Sequence, residues 1–281
     1  MPKKATVRAR GLGAELKELR KQAKLPLTKV GERMGWSVAT VSRIETGHRG
    51  VTSEEVAALL MIYEAPRDVR ERLVSLAREA DKPGWWETGD PGLPRLLSSL
   101  ITFETQATTI TNFTLRNVPG LLQTPDYIRA IMTAAEIPPQ QAETRIVTRI
   151  GRQALLSRPN PPTFEAIIDE AALRRCVGGR SVMADQLGKL ITEAKRPNIT
   201  IRVVPFTQGS YVGLDGSFLM LEFPKARRIV HLEHKTSAMF LDEPADTDVY
   251  LRDLVKLRDS ALSPSDSIEF IATIADEYKD L

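Results

Sequence analysis

The sequence predicts two domains of different class, an N-terminal all-α domain of five helices and a C-terminal α+β domain with a mostly antiparallel sheet. Three observations predict this. At 281 residues the chain is longer than one small domain uses. Apolar residues recur at helical spacing up to residue 80, while further on period-two alternation appears, as in Ile199, Ile201 and Val203 against Thr200 and Arg202. Between the two patterns, Asp81-Lys82-Pro83-Gly84 carries a Pro-Gly break. The expected organisation is a flexible basic arm over 1–10, a helical domain over 11–81, a linker over 82–84 and an α+β domain over 85–281.

Lys3, Lys4, Arg8 and Arg10 make the first stretch basic, either an arm that reaches phosphate or a minor groove, or a plain disordered tail. Leu12, Leu16, Leu19 and Ala23 then mark an amphipathic helix over 12–23. A second helix is expected over 26–34, with Pro26 in a first helical position, where a missing N–H costs nothing, and Leu27, Val30 and Met34 on one face. Gly31 inside that helix costs about 1 kcal/mol against Ala, so a second backbone should pass close to it. Gly35 ends the run in a left-handed conformation. Ser37 is an N-cap for a third helix over 38–46, with Val41 and Ile44 inward and Gly47 as its stop. Val38, Ala39, Ser42 and Arg43 are left on the outer face. Thr52-Ser53-Glu54-Glu55 is a capping box for a fourth helix over 53–63, whose Val56, Leu59 and Leu60 face inward. Pro66 opens a fifth helix to residue 81, with Val69, Leu73, Leu76 and Ala80 as its apolar positions.

Trp85 and Trp86 follow the break at once and read as packing that seats the second domain, or as the wall of a ligand site. Helices are expected over 93–106, 124–136, 138–157, 181–195, 245–260 and 264–279, with a short one after Asp169-Glu170 stopped by Gly178-Gly179 and with Ser181 as an N-cap. Strands are expected over 108–118, 164–168, 199–203, 218–223, 229–233 and 238–241, and Asp215-Gly216 is a hairpin-turn signal.

Composition excludes several classes. Hydrophobic residues at 42% and charged residues at 27% are ordinary for a globular chain, and no apolar run approaches the roughly 18 residues of a membrane span. The basic N-terminus lacks the apolar stretch of a secretory signal. The single cysteine, Cys176, rules out internal disulfides and cysteine-rich zinc sites and fits a reducing cytoplasm. The net charge of +3 hides an asymmetry, since residues 1–50 carry 12 Lys and Arg against 4 Asp and Glu while the rest carry 27 against 32. A basic end that coincides with a helical pair is what phosphate binding with counterion release requires.

Catalytic patterns do not assemble. There is no Walker loop, no nucleophile elbow and no dinucleotide glycine fingerprint. His231-x-Glu233-His234 has the spacing of a zinc deaminase H-x-E, but that site also needs a P-C-x-x-C pair, which one thiol cannot supply; the reading is a strand with polar residues on one face. Asp169 and Glu170 are adjacent at a strand-to-helix corner, which points them apart and favours capping over acid/base work. The expectation is no enzyme, no metal and no cofactor.

The order of small residue, turn glycine, N-cap serine and then Thr40-Val41-Ser42-Arg43-Ile44-Glu45-Thr46-Gly47 resembles the Xre/Cro/lambda-repressor class of helix-turn-helix domains over roughly residues 11–81. In that class the second helix of the pair enters the DNA major groove. The resemblance implies a lambda-repressor-like fold, base-edge contacts from Val38, Ala39, Ser42 and Arg43, and phosphate contacts from Ser37, Thr40 and the loop with His48 and Arg49. It also implies a structural ion pair between Arg20 and Glu45. Pro26 and Leu27 stand where many members carry polar residues that touch phosphate.

Beyond the break, Val118-Pro119-Gly120-Leu121-Leu122-Gln123-Thr124-Pro125, Arg152-Gln153-Ala154-Leu155-Leu156, Asp169-Glu170-Ala171, Val204-Pro205-Phe206, Asp215-Gly216 and Ala261-Leu262-Ser263-Pro264 resemble the C-terminal domain of WhiJ-like, antitoxin-like actinobacterial regulators across nearly all of 85–275. That family is implied to join a DNA reader to a sensing or partner-binding domain. Two functions follow as expectations. One is a cytoplasmic, sequence-specific transcriptional regulator that binds double-stranded DNA as a homodimer and senses a ligand or partner. The other is an antitoxin-like adaptor that neutralises a small protein encoded by a neighbouring gene and regulates its own synthesis. Neither involves a membrane.

Overall fold

The computed structural model describes residues 7–78, 85–88, 95–234 and 237–279. The expected linker over 82–84, the arm residues Lys3 and Lys4 and the last turn expected of the fifth helix lie outside them. Five helices form the N-terminal domain: α1 (Val7–Gln22), α2 (Leu27–Met34), α3 (Val38–Glu45), α4 (Ser53–Ile62) and α5 (Arg67–Arg78). Their inward faces close one core around Leu12, Leu16, Val30, Val41, Ile44, Leu59, Leu60 and Leu73, and each such side chain contributes about 1.5–3 kcal/mol on burial. The starts are set by caps. Ser37 Oγ accepts the Thr40 N–H at 3.1 Å, and the Thr52–Glu55 capping box is complete, with bonds of 3.2 and 2.9 Å. Gly35 ends α2 at φ 68°.

Gly31 has the reason its position implied. A Cβ there would lie 2.6 Å from the Trp36 carbonyl oxygen, so the chain leaving α2 folds back across it.

The arm expected over 1–10 needs correction at residues 7–10, residues 1–6 lying outside the described ones. Helix α1 begins at Val7, and Val7 and Arg10 are 1% and 4% exposed. A basic composition is compatible with a solvated arm, but here Val7 and Arg10 find apolar and acidic partners on the other domain, which no local pattern reveals.

The C-terminal domain is α+β. Its strands are β1 (Trp85–Thr88), β2 (Thr109–Thr114), β3 (Thr163–Asp169), β4 (Ile199–Val204), β5 (Phe218–Glu222), β6 (Ile229–Glu233) and β7 (Ser237–Leu241), in the order β1-β7-β6-β5-β2-β3-β4. Strands β2, β3 and β4 run parallel and every other neighbouring pair is antiparallel, so the sheet is mixed and mostly antiparallel. Its helices are α6 (Arg95–Gln106), α7 (Pro125–Ala134), α8 (Pro139–Gln153), α9 (Glu170–Arg174), α10 (Arg180–Glu193), α11 (Pro244–Ser260) and α12 (Pro264–Lys279). One sheet face carries Ile110, Phe164, Ile168, Ile201, Leu221 and Phe240 into the main core with Phe103 of α6, Leu187 of α10 and Ile271 of α12. The other face packs Phe113, Ile167, Met220 and Val230 against Leu254 and Leu257 of α11. Among the described residues no helix is long and apolar enough to cross a membrane.

The backbone of Trp85 and Trp86 lies in an edge strand paired with β7, Trp85 opposite Phe240, and the expectation for their side chains falls outside what is described. Three local expectations differ from the structure. Asp215-Gly216 closes a 3₁₀ turn (Val212–Asp215) rather than a hairpin, because β5 pairs with β2 and β6 and never with β4. Helix α10 starts at Arg180 with Gly179, at φ 97°, in the cap position expected of Ser181. The helix expected over 138–157 tightens into a 3₁₀ turn from Ala154.

Candidate functional site: nucleic-acid interface and C-terminal recess

Helices α2 and α3 present one polar ridge. Ser37, Val38, Ala39 and Arg43 are exposed, Thr40 and Ser42 half-buried, and the opposite face of α3 is closed by Val41, Ile44 and Glu45. Val38 is a large apolar side chain left 43% exposed at the helix N-terminus. It is suited to contact with a thymine methyl. Among the described residues the Arg43 guanidinium makes a single long bond, 3.4 Å, to the Ala39 carbonyl, so its fork is largely unspent. Ser37 and Thr40 are joined through their hydroxyls at 3.0 Å. In the loop after α3, His48 is exposed and bonded to Thr46 at 3.1 Å. Arg49 is held back, paired with Glu55 at 3.3 Å and stacked over Trp36 at 5.3 Å.

The third helix is braced from α1 by Arg20. Its Nε and Nη2 donate to the two Glu45 oxygens at 2.6 and 2.9 Å, and Nη1 donates to the Leu25 carbonyl at 2.8 Å. The hydrogen bond to Glu45 raises the Arg20 pKa, against the opposing effect of burial.

At the other end of α1 the two domains meet. Val7 N–H donates to Asp242 Oδ2 at 2.7 Å, and Arg10 Nη2 donates to Gln106 Oε1 at 2.9 Å. The Arg10 guanidinium lies 5.0 Å from the Phe103 ring centre and 4.0 Å from that of Phe223. Burial lowers its pKa to about 10 although Asp242 opposes the shift. Gly47, at φ 70°, lets the chain leaving α3 lie on Arg10, since a Cβ there would come within 2.6 Å of the Arg10 Cα. One residue therefore touches both the exit of α3 and α6.

Between α8 and the β2, β5 and β6 strands the C-terminal domain holds a recess of about 720 Å³. Arg145, Arg149 and Arg152 line it from α8 at the i, i+4, i+7 spacing of one helix face. Arg152 is bidentate to Glu104 at 2.9 and 2.7 Å, with the two side chains 10% and 2% exposed. Arg149 donates to the neutral Gln123 Oε1 at 2.8 Å, and Gln123 is itself fixed to the Val118 carbonyl at 2.7 Å. Burial lowers the Arg149 pKa, and the charges of Arg152 and Arg145 add to this against Glu233 and Glu104. Opposite, His231 packs on Phe240 at 4.6 Å, and burial pushes its pKa down to about 4, so it is neutral at pH 7. The Thr114 hydroxyl, on a recess-lining residue, is buried without a hydrogen-bond partner among the described residues.

Comparison with known families covers both domains. The described "Helix-turn-helix domain" family matches residues 11–73. A second family, described as "Domain of unknown function (DUF5753)", matches residues 97–273, more than half of the chain. The chain belongs to the DUF5753 family. No curated protein and no solved structure matches it.

The recess lies wholly within the DUF5753 match, whereas the α2–α3 ridge lies wholly within the helix-turn-helix match. Of the residues singled out from sequence, Ser37, Val38, Ala39, Arg43 and His48 are exposed and Thr40 and Ser42 half-buried, while Arg49 is turned to Glu55. In the DUF5753 domain, Asp169 Oδ1 caps α9 through the Ala171 N–H at 2.8 Å and Oδ2 accepts the Tyr211 hydroxyl at 2.5 Å. His231 is buried whereas Glu233 and His234 are exposed at the recess. Sequence reasoning did not single out Arg145, Arg149 or Glu104, and it met Gln123 and Arg152 only inside the motifs that carry the resemblance, without a role. The one available signal was three arginines on one face of α8. That pattern is common on solvated helices, and only the sheet packed opposite makes it a wall.

Proposed function

We propose that the chain is a sequence-specific, Xre-type transcriptional regulator, not an enzyme, that binds double-stranded DNA as a homodimer and whose DUF5753 domain senses a small ligand. The observation that carries this reading is the face of α3 opposite its core, where Val38, Ala39 and the unspent fork of Arg43 stand exposed on a braced helix. One recognition helix reads too few base pairs for a unique address, and a two-fold pair doubles the contact. The sensing half of the reading draws support from α6. That helix lines the recess with Glu104 and holds Arg10 with Phe103 and Gln106, so a change at the recess has a packed route to the exit of α3.

The test is fluorescence anisotropy of the full chain on the DNA upstream of its own gene against a scrambled duplex, over a salt series. Tighter binding to the upstream duplex at every salt concentration is expected. Equal binding of both, with only a common salt slope, would overturn specific recognition at that site.

A second reading is an antitoxin-like adaptor for a small protein. Val147 and Ile150, 67% and 40% exposed on the outer side of α8, favour it. A stoichiometric complex formed without DNA would support that role over ligand sensing.

A further inference from the structure

The geometry points to the α8 recess as a binding site for a small organic anion, one carboxylate or phosphate group with an apolar body. The inference deepens the sensing reading and rests on it for its purpose, though not for its geometry. Like charges at i, i+4 on a helix destabilise it, and desolvation adds to that cost, as the lowered Arg149 pKa records. Three arginines on one walled face therefore need compensation. Glu104 compensates Arg152 in full by a bidentate pair. Arg149 has only the neutral Gln123, and Arg145 has no ion pair among the described residues. A guanidinium fork with unused donors matches carboxylate or phosphate oxygens, which it binds bidentately.

The remaining walls set the rest of the ligand. Leu100, Ile131 and Met132 give an apolar side, and about 720 Å³ is the volume of a pocket for a metabolite-sized molecule. Glu136 and Glu233 line the same recess and are exposed. They disfavour a polyanion such as nucleic acid and leave a singly headed anion as the better match.

The test uses the full chain and 8-anilinonaphthalene-1-sulfonate, a fluorescent aromatic anion, displaced by decanoate, decyl phosphate or the neutral decanol. One saturable site is expected, weakened roughly 10- to 100-fold in Arg149→Gln, the range of a charge-assisted hydrogen bond. Arg145→Gln should weaken it as well and serves if Arg149→Gln does not fold. Arg252→Gln, an exposed position on α11, should leave it unchanged. Displacement by decanoate or by decyl phosphate identifies the head group. Unaltered probe binding in both recess variants, or displacement by decanol as effective as by decanoate, would overturn the site. Anisotropy on DNA with and without the displacing anion separates the two readings. Recess binding that leaves DNA affinity unchanged supports the site and overturns sensing.

Discussion

Arg20 holds Glu45 in a two-pronged ion pair of 2.6 and 2.9 Å, with the side chains 11% and 4% exposed, and so ties α1 to the last turn of α3. Removing Glu45 leaves the half-buried Arg20 with only the Leu25 carbonyl as partner. Glu45→Ala is expected to lower stability by about 1.5–3 kcal/mol, the range of hydrogen bonds to a charged group, read as a shifted urea midpoint. The double variant Arg20→Met with Glu45→Leu should recover much of the loss, because an apolar pair of similar size carries no desolvation penalty. An unchanged midpoint in Glu45→Ala would refute the brace.

Arg43→Ala should weaken binding to a cognate duplex by about 1–3 kcal/mol, the discrimination of one bidentate base contact. Binding to scrambled DNA should change far less. If the ratio between the two duplexes stays the same, Arg43 does not read bases.

Arg10→Ala removes the side chain that joins Gln106, Phe103 and Phe223 to α1. A desolvated cation over an aromatic ring contributes about 2 kcal/mol, and the bond to Gln106 adds to it. Calorimetry should show the α1-containing domain melting separately from the DUF5753 domain. A melting profile identical to that of the unaltered chain would argue against this joint.

Stability should fall on acidification through His231. Its folded pKa of about 4 lies below the usual 6.5, so above pH 6.5 the group is neutral in both states and costs nothing. As the pH drops from 6.5 toward 4 the unfolded chain binds a proton that the folded chain does not, and stability is lost. The full effect is on the order of 3 kcal/mol. In His231→Gln the difference in urea stability between pH 7 and pH 4.5 should shrink by most of that amount. An unchanged pH slope would show that His231 is not the titrating group.

The helix-turn-helix ridge was legible because each of its signals is local. A cap such as Ser37 binds a backbone three residues on, and Gly31 reports a contact with Trp36 only five residues away. The recess was not legible, because Glu104 and Arg152 meet across 48 positions of chain, and the strands of the opposite wall come from β2, β5 and β6. The Asp215-Gly216 turn misled for the same reason, since a hairpin depends on which strand arrives beside β5.

By itself the sequence determined the two-domain division, the five helices of the helix-turn-helix domain, their caps and the side chains turned outward on α3, since periodicity and capping act within a few residues. Tertiary structure alone decided that Arg10 lies buried against α6 instead of in a solvated arm, and that Arg149 lines a recess, half-buried, instead of standing free in water. In both cases the residue type was plain from the start. What a buried guanidinium does depends on which distant groups fold against it, and that is set by long-range packing rather than by its neighbours in the chain.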